Sequence, residues 1–507
     1  MNSSRTANSL KNIVFGVGYQ ILSIILAFVN RSVFIYTLGV SYLGISSLFT
    51  EILSMLSMAD LGFGVALTYS MYKPLADKDY DRLAGLTNLY AKVYHSIAAV
   101  VFIAGIAIVP FLDNIVNLKH PIAHIKLYYF LYLLNTIASY LVIYKTSILD
   151  ADQKDYVLNK YRSIFGVLQT IFMTLFLWFT HSFFIYLLIQ IIFTYGQNFY
   201  SSHIAEKEYP FINKKVRLPI SEVRKIFLNL YSVFIYKISY VMLNATDNTI
   251  ISIFIGTNMV GYYSNYSMLT TRIISIMNAI FYAFTSSIGN LVVTENSKKR
   301  YSSFLGIQSL SLVLAIFCVM CVALLTQDFI YVWLGSKYLL SEKVFIAILI
   351  NLYLQIILFP IWTFREATGL YLKTKYIMLL CAIINIILSV SLAHPLGISG
   401  VLISSAIARL ATYFWFEPIY LFKKYFSSSS RKYFEEIVKN IFFLIVGISI
   451  FGKLSLMFQC KNWLDFCIKA LVVAVTTGIY ALTVYFRSSG TKIIISHVKQ
   501  IINQKAD

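Results

Sequence analysis

Long apolar runs are the feature of this sequence that most restricts its fold. A helix that spans a membrane needs about 20 mostly apolar residues. Only 13% of the residues are charged, whereas a soluble chain carries about a quarter. The sequence therefore predicts an all-α integral membrane protein with about 14 transmembrane helices. The predicted spans are residues 12–38, 41–71, 86–112, 122–148, 158–180, 182–204, 225–255, 260–292, 302–326, 343–364, 375–393, 396–422, 438–458 and 464–486.

The positive charge of the chain lies mainly on one side of these spans. The net charge is +20, and of 42 Lys and Arg residues, 30 lie in the termini and the loops after even-numbered spans or within six residues of them, against 7 in or within six residues of the opposite loops. Cytoplasmic loops carry such an excess, so we expect both termini in the cytoplasm and no role in binding nucleic acid. The basic segment 487–507 is predicted to be either an amphipathic stretch on the inner membrane surface or a solvated tail.

An internal repeat divides the predicted spans into two groups of six. Residues 36–49 parallel residues 253–266, with Gly39 matching Gly256 and Gly44 matching Gly261. The sequence thus predicts two pseudo-symmetric six-helix lobes related by an axis along the membrane normal. The expected divisions are an N-lobe at 1–205, a cytoplasmic linker at 206–224, a C-lobe at 225–422, a cytoplasmic loop at 423–437, two extra helices at 438–486 and a basic cytoplasmic tail at 487–507.

Ionisable residues inside the spans are the candidate functional residues. Each costs about 2.5–3.5 kcal/mol to place at the centre of a membrane helix, so such residues face protein or water and often mark a transport path. Basic residues are in surplus, which suits an anionic ligand. The candidates for a cationic cavity are Arg31, Lys237, Arg272 and Arg409, and the candidates for coupling or charge tuning are Glu51, Asp60 and Asp247. Lys92 is expected to reach the cytoplasmic interface.

Two interpretations of these charges remain open. Arg31 and Glu51 lie at similar depths in the first repeat, and so do Asp247 and Arg272 in the second, with the signs exchanged. They could form interhelical salt bridges that fix packing, or the two arginines could line a cavity while the acids tune or release them. Arg409 could bind substrate or anchor the last two helices, and Asp60 could have a purely structural role beside its neighbouring glycines.

Motifs for catalysis, metal binding and nucleotide binding are missing from the sequence. It contains no Walker A motif, no G-x-S-x-G and no H-E-x-x-H. Cys318 and Cys321 form a C-x-x-C within an apolar run, where core packing is a better interpretation than a zinc site, which needs about four ligands. We therefore expect a transporter rather than an enzyme, with no cofactor.

Several blocks of the sequence resemble one transporter family. They include LGVSYLGISSLFTEILSMLSMADLGFGVALTYSMYKPLADKD, YKTSILDADQKDYV, LNATDNTIISIFIG, VGYYSNYSML, SSIGNL, FREATGLYLKTKY and IARLATYFWFEPIYL. In combination they resemble the Wzx-type flippases of lipid-linked oligosaccharides, in the polysaccharide transporter branch of the multidrug/oligosaccharidyl-lipid/polysaccharide exporter (MOP) superfamily. The resemblance covers roughly residues 5–425.

The resemblance implies a MATE/MOP-like fold with a central cationic cavity. It implies movement of an undecaprenyl-pyrophosphate-linked glycan across the bacterial inner membrane, for O-antigen, capsule or exopolysaccharide synthesis. It also implies coupling of transport to H⁺ or Na⁺. The expected partners are membrane lipids and, as candidates, polysaccharide polymerase and chain-length proteins. Arg31, Arg272 and Arg409 lie in matching blocks, whereas Lys237 is a candidate from its position alone.

Three other functions stay open at this point. A drug or small-ion exporter of the same superfamily would be expected to have twelve helices and an acidic site. A lipid II flippase would share the fold and the cationic cavity. A non-transporting scaffold of the polysaccharide assembly complex would have a sealed or apolar interior.

Overall fold

Helices make up almost all of the described structure. The computed structural model describes residues 22–57, 63–118, 120–152, 154–455, 458 and 460–493, and within them we find no strand. Nine helices in this part of the chain are long and apolar enough to cross a membrane, or ten if one bent pair counts as a single span. Each of the fourteen predicted spans overlaps a helix. The prediction of an all-helical, multi-pass membrane protein is confirmed, and the count of fourteen stays a prediction.

The chain divides into two compact units, Met1–Gly261 and Tyr262–Asp507. The helices of the first unit are α1 (Leu22–Leu38), α2 (Val40–Leu56), α3 (Phe63–Ala76), α4 (Tyr80–Ile108), α5 (Leu112–Ile115), α6 (Ile125–Ile137), α7 (Ile143–Ala151), α8 (Asp155–Thr180), α9 (Phe183–Glu208), α10 (Ile220–Asn244) and α11 (Asp247–Phe254). The next helix, α12 (Thr257–Tyr282), begins in this unit and continues in the second.

Local backbone geometry explains where several of these helices end. Gly39 separates α1 from α2, and Gly256 separates α11 from α12; both have a positive φ, of 84° and 131°. Such a conformation is strained for residues with a Cβ atom. His181 takes a left-handed conformation between α8 and α9. The predicted fourth span is bent by 47° where Ile125–Leu141 meets α7.

The second unit is built around one long helix. Its helices after α12 are α13 (Thr285–Thr294), α14 (Ser297–Leu334), α15 (Glu342–Thr368), α16 (Tyr371–Leu396), α17 (Ile398–Ala411), α18 (Tyr413–Leu421), α19 (Arg431–Ser455) and α20 (Trp463–Tyr485). Helices α15, α19 and α20 all pack along α14, and α16 and α17 form a helical hairpin. The 38 residues of α14 would be about 57 Å long, which gives all three neighbours room to pack on it.

The two helices that lie outside the sequence repeat are fastened to α14 by buried polar contacts. Lys469 on α20 donates to Asp328 on α14 at 2.7 Å. Asn440 on α19 is fully buried and donates to the Leu312 carbonyl at 3.1 Å and to the Tyr485 hydroxyl at 2.9 Å. Buried polar groups need such partners, so these contacts fix how α19 and α20 lie on α14.

The boundary between the compact units lies later in the chain than the predicted linker. The sequence repeat assigns 225–255 to the second lobe, whereas contacts group α10 and α11 with the first unit. The physical reason is that α10 packs on α2 and α3, and α11 packs on α2 and α5. The sequence division follows the internal repeat, whereas the structural division follows contacts between helices. The two describe different properties, so the lobe boundaries stay a prediction.

Asn440→Ala is expected to destabilise the second unit. The substitution leaves the Leu312 carbonyl and the Tyr485 hydroxyl without this donor in a buried site, at a cost of about 1–3 kcal/mol. Thermal unfolding of the purified protein in detergent should occur several degrees lower. Ser449→Ala on the same helix is the control, because the Ser449 hydroxyl is exposed and bonds only to its own helix at Ile445. Equal melting of both variants would contradict the assignment.

Candidate functional site

The predicted site residues fall on several helices. Arg31 lies on α1, Glu51 on α2, Lys237 on α10, Asp247 on α11, Arg272 on α12 and Arg409 on α17. Asp60 lies outside the described residues, and so does the side chain of Lys237. The structure brings Glu51 and Asp247 together. Arg31 lies in the first unit, and Arg272 and Arg409 lie in the second.

Arg31 is half-buried within the first unit, in a polar cluster to which α1, α2, α6 and α9 contribute. Its guanidinium interacts electrostatically with the hydroxyls of Tyr186 and Tyr132. Those hydroxyls are held in turn: Tyr186 donates to Asn30 at 3.0 Å, and Tyr132 lies 2.6 Å from the Ser46 hydroxyl. These contacts hold the Arg31 guanidinium in place, and its role in binding a ligand stays a prediction.

Glu51 caps a helix that lies far along the chain. Its Oε1 accepts hydrogen bonds from the backbone N–H groups of Asn248 at 2.8 Å and Thr249 at 3.3 Å, 197 and 198 residues away. These are orphan donors at the first turn of α11, and the positive end of the helix dipole favours a carboxylate there. Asp247 begins the same helix and interacts electrostatically with Glu51. Two acidic groups therefore share one helix N-terminus.

The matching glycines of the two repeats pack against each other. A Cβ atom on Gly44 would lie 2.1 Å from the Thr257 carbonyl oxygen, and one on Gly261 would lie 2.4 Å from the Val40 carbonyl oxygen. Val40 and Thr257 each precede their repeat's glycine by four residues, so the two contacts are reciprocal. This is the relation that a pseudo-two-fold axis produces, and it brings the starts of α2 and α12 into backbone contact.

Two further bonds join segments near this crossing. The Ser252 hydroxyl donates to the Ile115 carbonyl at 2.7 Å, and the Thr257 N–H donates to the Asn117 carbonyl at 2.8 Å. Asn117 lies in a loop that charge counting assigns to the outer side, as do Gly39 and Gly256. All of these contacts therefore connect segments predicted to lie on the same side of the membrane.

Arg272 lies on an exposed polar face of α12. Thr271, Ser275, Asn278 and Tyr282 are exposed with it, spaced at three or four residues, and so is Ile276, one turn from Arg272. A charged residue on a lipid-facing helix surface is costly, so this face suits contact with water. Arg272 is thus the described candidate whose surroundings fit a water-filled cavity best.

Arg409 lies inside the second unit. It is 4% exposed, and its Nη1 donates to the Asn351 Oδ1 at 3.1 Å, which ties α17 to α15. This geometry gives Arg409 a partner within its own unit. Its role in binding substrate stays a prediction.

A buried ion pair in the second unit is the main feature that the sequence analysis missed. Arg365 on α15 donates to both carboxylate oxygens of Glu417 on α18, at 3.1 and 3.2 Å, and Glu417 is fully buried. The signal was a single acidic residue in the aromatic run YFWFEPIYLF, together with an arginine at the end of another apolar helix. Such a pair costs much to break but adds little net stability, so we interpret it as structural.

A polar cavity of about 540 Å³ opens at the ends of α3 and α7, where Tyr72, Leu75, Ala76, Ala151 and Asp152 line it. The Tyr209 hydroxyl donates to Asp152, and Lys154 pairs with both Asp152 and Glu208 at 2.9 Å. The bond from Tyr209, aided by Lys154, lowers the pKa of Asp152. Burial, together with the bond to Asp152, raises the pKa of Tyr209 to about 12. Asp152 is therefore a stable anion at the rim of this cavity.

Tyr209→Phe should make the protein more sensitive to acid. A carboxyl group whose pKa is lowered in the folded state stabilises that state above its usual pKa, and the contribution is lost as pH falls through the folded value. Without the Tyr209 hydroxyl, the pKa of Asp152 rises, so loss of stability should begin at a higher pH. Thermal unfolding measured from pH 7 to pH 4 tests this. The control is Tyr80→Phe, which keeps its ring contact with Phe211; identical pH profiles would refute the assignment.

The cysteines and acidic residues of the described chain show no metal-binding arrangement. Among the described residues, no group of three or more His, Cys, Asp or Glu side chains could hold a metal ion. Cys318 is buried, and the Cys321 thiol lies 3.4 Å from the Thr477 hydroxyl. Both cysteines of the C-x-x-C pair therefore pack within the helices of the second unit.

Solved structures of transporters share this architecture. The lipid II flippase MurJ in an inward closed conformation aligns with a TM-score of 0.67 and 17% identity, covering 93% of this chain and 99% of that chain. An inward-facing multidrug resistance MATE family transporter of the MOP superfamily aligns with a TM-score of 0.53 and 15% identity, covering 77% and 93%. A MOP superfamily transporter from Pyrococcus furiosus with a binding pocket of reversed polarity aligns with a TM-score of 0.52 and 15% identity, covering 80% of this chain and 92% of that chain.

These likenesses establish the fold. The chain has the fold of MOP superfamily transporters, and the neighbours that define this fold are transporters rather than enzymes. No protein-family model matches the sequence, and no curated protein sequence matches it either.

Proposed function

We propose that this protein is a flippase that moves undecaprenyl-pyrophosphate-linked oligosaccharide repeat units across the bacterial inner membrane by alternating access. The observation that carries the proposal is the exposed Arg272 on a polar face of a membrane-spanning helix. A guanidinium there is favoured by contact with water over contact with lipid, and its planar donors match phosphate oxygens. The blocks that resemble Wzx-type flippases support an oligosaccharide-lipid as the substrate.

The cationic residues would neutralise the pyrophosphate while the polyprenyl chain stays in lipid. An unpaired pyrophosphate in a low-dielectric site would cost many kcal/mol, so Arg31 and Arg272, with Lys237 and Arg409 as further candidates, would provide the compensating charge. Asp60, Glu51 and Asp247 are the candidates for coupling to H⁺ or Na⁺. Opening towards the predicted outer side would require the crossing of α2 and α12 to separate, together with the bonds between Glu51 and α11.

The principal alternative is a lipid II flippase. The MurJ structure covers 93% of this chain, whereas the MATE structure covers 77%. The larger share favours a flippase over a twelve-helix exporter. A strain that lacks lipid II flippase activity distinguishes the two substrates, because this protein should not restore its peptidoglycan synthesis if the oligosaccharide proposal holds.

Loss of the two arginines should abolish export. In a strain that lacks this gene, lipid-linked oligosaccharide should accumulate on the cytoplasmic leaflet and surface polysaccharide should disappear. The native gene should restore both, whereas Arg31→Ala combined with Arg272→Ala should not, because the cavity loses the charges that neutralise the pyrophosphate. The leaflet distribution of the lipid-linked units is the measurement.

Lys92→Ala is the matched control for this experiment. Lys92 is exposed on α4 and is predicted to reach the interface rather than the cavity, so its loss should leave export within about twofold. Membrane insertion of every variant is checked by immunoblot. Normal export from the double alanine variant would refute the cationic site, and outer-leaflet units in the deletion strain would favour an exporter or a scaffold.

Glu51→Ala should loosen the closure on the predicted outer side. Removing the side-chain acceptor leaves two N–H groups of α11 without a partner, and each unsatisfied buried donor costs about 1–3 kcal/mol. In a cysteine-free background, Ser252→Cys provides a fully buried reporter near the crossing. A membrane-impermeant thiol reagent added from outside should label it several-fold faster in the Glu51→Ala protein.

Glu51→Gln separates charge from geometry in the same assay. A glutamine can still accept the two hydrogen bonds through its amide oxygen, so labelling should lie between the native and alanine rates. If both variants label at the native rate, Glu51 does not hold this closure.

A further inference from the structure

The segment that joins the two sequence repeats is fastened to the first unit. Sequence analysis treats 206–224 as a cytoplasmic linker, and its composition, with KKVR at 214–217, is typical of a solvated loop. In the structure, Pro210–Asn213 forms a 3₁₀ turn, and α10 follows after an extended stretch. Tyr209 and Ile212 are buried, at 7% and 3% exposed. We call residues 209–222 the strap.

Asn88 on α4 holds the extended part of the strap. Its Nδ2 donates to the Lys214 carbonyl at 2.6 Å and to the Val216 carbonyl at 3.3 Å. Extended backbone outside a sheet has no regular partners for its carbonyl groups. One amide side chain therefore replaces two ladder bonds and fixes the path of the strap along α4.

The strap also packs closely against α4 one turn earlier. A Cβ atom on Gly85 would lie 2.8 Å from Leu218 Cδ2 and 3.5 Å from Val216 Cγ1. Gly85 is buried, and Leu218 and Val216 are half-buried. The strap side chains thus occupy the space that the side chain of any residue other than glycine would need at position 85 of α4.

Charged and aromatic contacts extend this attachment at both ends. Arg82 Nε donates to Glu222 at 2.8 Å, which ties the first turn of α10 to α4, and Lys214 pairs with Asp81 at 3.3 Å. Arg82, Lys214 and Asp81 are exposed and Glu222 is half-buried, so each pair contributes only about 0–1 kcal/mol. The Phe211 ring lies on the Tyr80 ring, with centroids 4.7 Å apart. At the other end of the strap, Tyr209 bonds to Asp152.

We propose that the strap stays fastened to α4 throughout the transport cycle and makes the start of α10 a fixed pivot. The proposal rests on the proposed function for its transport step. A flexible linker would let α10 move independently of the first repeat. A fastened strap instead makes the predicted cytoplasmic end of α10 follow α4, so that changes in α10 occur at its far end, near Ala245 and α11.

A disulfide across the strap tests this directly. Gly85→Cys and Leu218→Cys are placed in a background without the five native cysteines, and the bond is formed with a mild oxidant. Export by the oxidised protein should stay within about twofold of the reduced protein. Export that is lost on oxidation and regained on reduction would overturn the proposal, because the strap would then have to open during the cycle.

A second pair serves as the contrasting control. Asn117→Cys with Thr257→Cys bridges the closure on the predicted outer side, where the Thr257 N–H bonds to the Asn117 carbonyl. Oxidation of this pair should block export, and reduction should restore it. The contrast between the two pairs distinguishes a permanent attachment from one that must separate.

An unfastened strap provides the opposite test. A six-residue Gly-Ser insertion after Lys215, combined with Asn88→Ala, should reduce export at least tenfold while the protein still inserts and elutes as a single species. Export at the native level from this variant would overturn the proposal.

The strap and the proposed function can fail separately. If the native gene does not restore surface polysaccharide to the deletion strain, the flippase proposal fails and export no longer reports on the strap. Amide hydrogen exchange of the purified protein then decides. Residues 209–219 should exchange several-fold faster in Asn88→Ala than in the native protein, and an unchanged rate would overturn the fastening itself.

Discussion

The reciprocal contact of Gly44 with Thr257 and of Gly261 with Val40 is the constraint on which the first unit depends. In both contacts, the atom that a Cβ would meet is a backbone oxygen, at 2.1 or 2.4 Å. A backbone atom cannot rotate away as a side chain can, so only glycine permits this approach. Because α2 and α12 cross there, Glu51, about two turns further along α2, comes within reach of the N-terminus of α11.

Charges within the helices have been accommodated in physically different ways. Glu51 is satisfied by backbone N–H groups, Glu417 by Arg365, and Lys469 by Asp328. These arrangements keep the charges inside protein and consume their bonding capacity. Arg272, by contrast, presents its guanidinium on an exposed face. The distinction separates charges that are paired inside protein from a charge on an exposed face, and it cannot be made from residue type or depth alone.

The sequence could predict those parts of the structure that depend on local pattern. Apolar runs predicted the helices, because backbone polar groups in lipid must bond within the segment. The matched glycines at 39 and 256 predicted equivalent turns. In the structure both take a positive φ. The cap on α11 could not be predicted, because its donors are backbone groups 197 and 198 residues from Glu51 and have no signature in sequence.

Two other features also lay beyond pattern recognition. The pairing of Arg365 with Glu417 depends on how α15 and α18 pack, which hydropathy does not specify. The grouping of α10 and α11 with the first unit depends on tertiary contacts with α2, α3 and α5. In each case a repeat or a periodicity identified the helix, and only three-dimensional packing identified its partner.

The start of α10 and the start of α11 are held by very different numbers of contacts. At the start of α10, the strap combines covalent connection, two carbonyl bonds from Asn88 and the packing of Leu218 on Gly85. At the other, Glu51 accepts two hydrogen bonds from α11, and each buried donor left unsatisfied would cost about 1–3 kcal/mol. Reversing a two-state equilibrium from 1:99 to 99:1 takes about 5.5 kcal/mol of differential ligand affinity. The free energy of the contact made by Glu51 does not exceed this figure by much, so binding of an anion or a proton could supply enough to open it. Opening the strap would require the loss of several independent contacts at once.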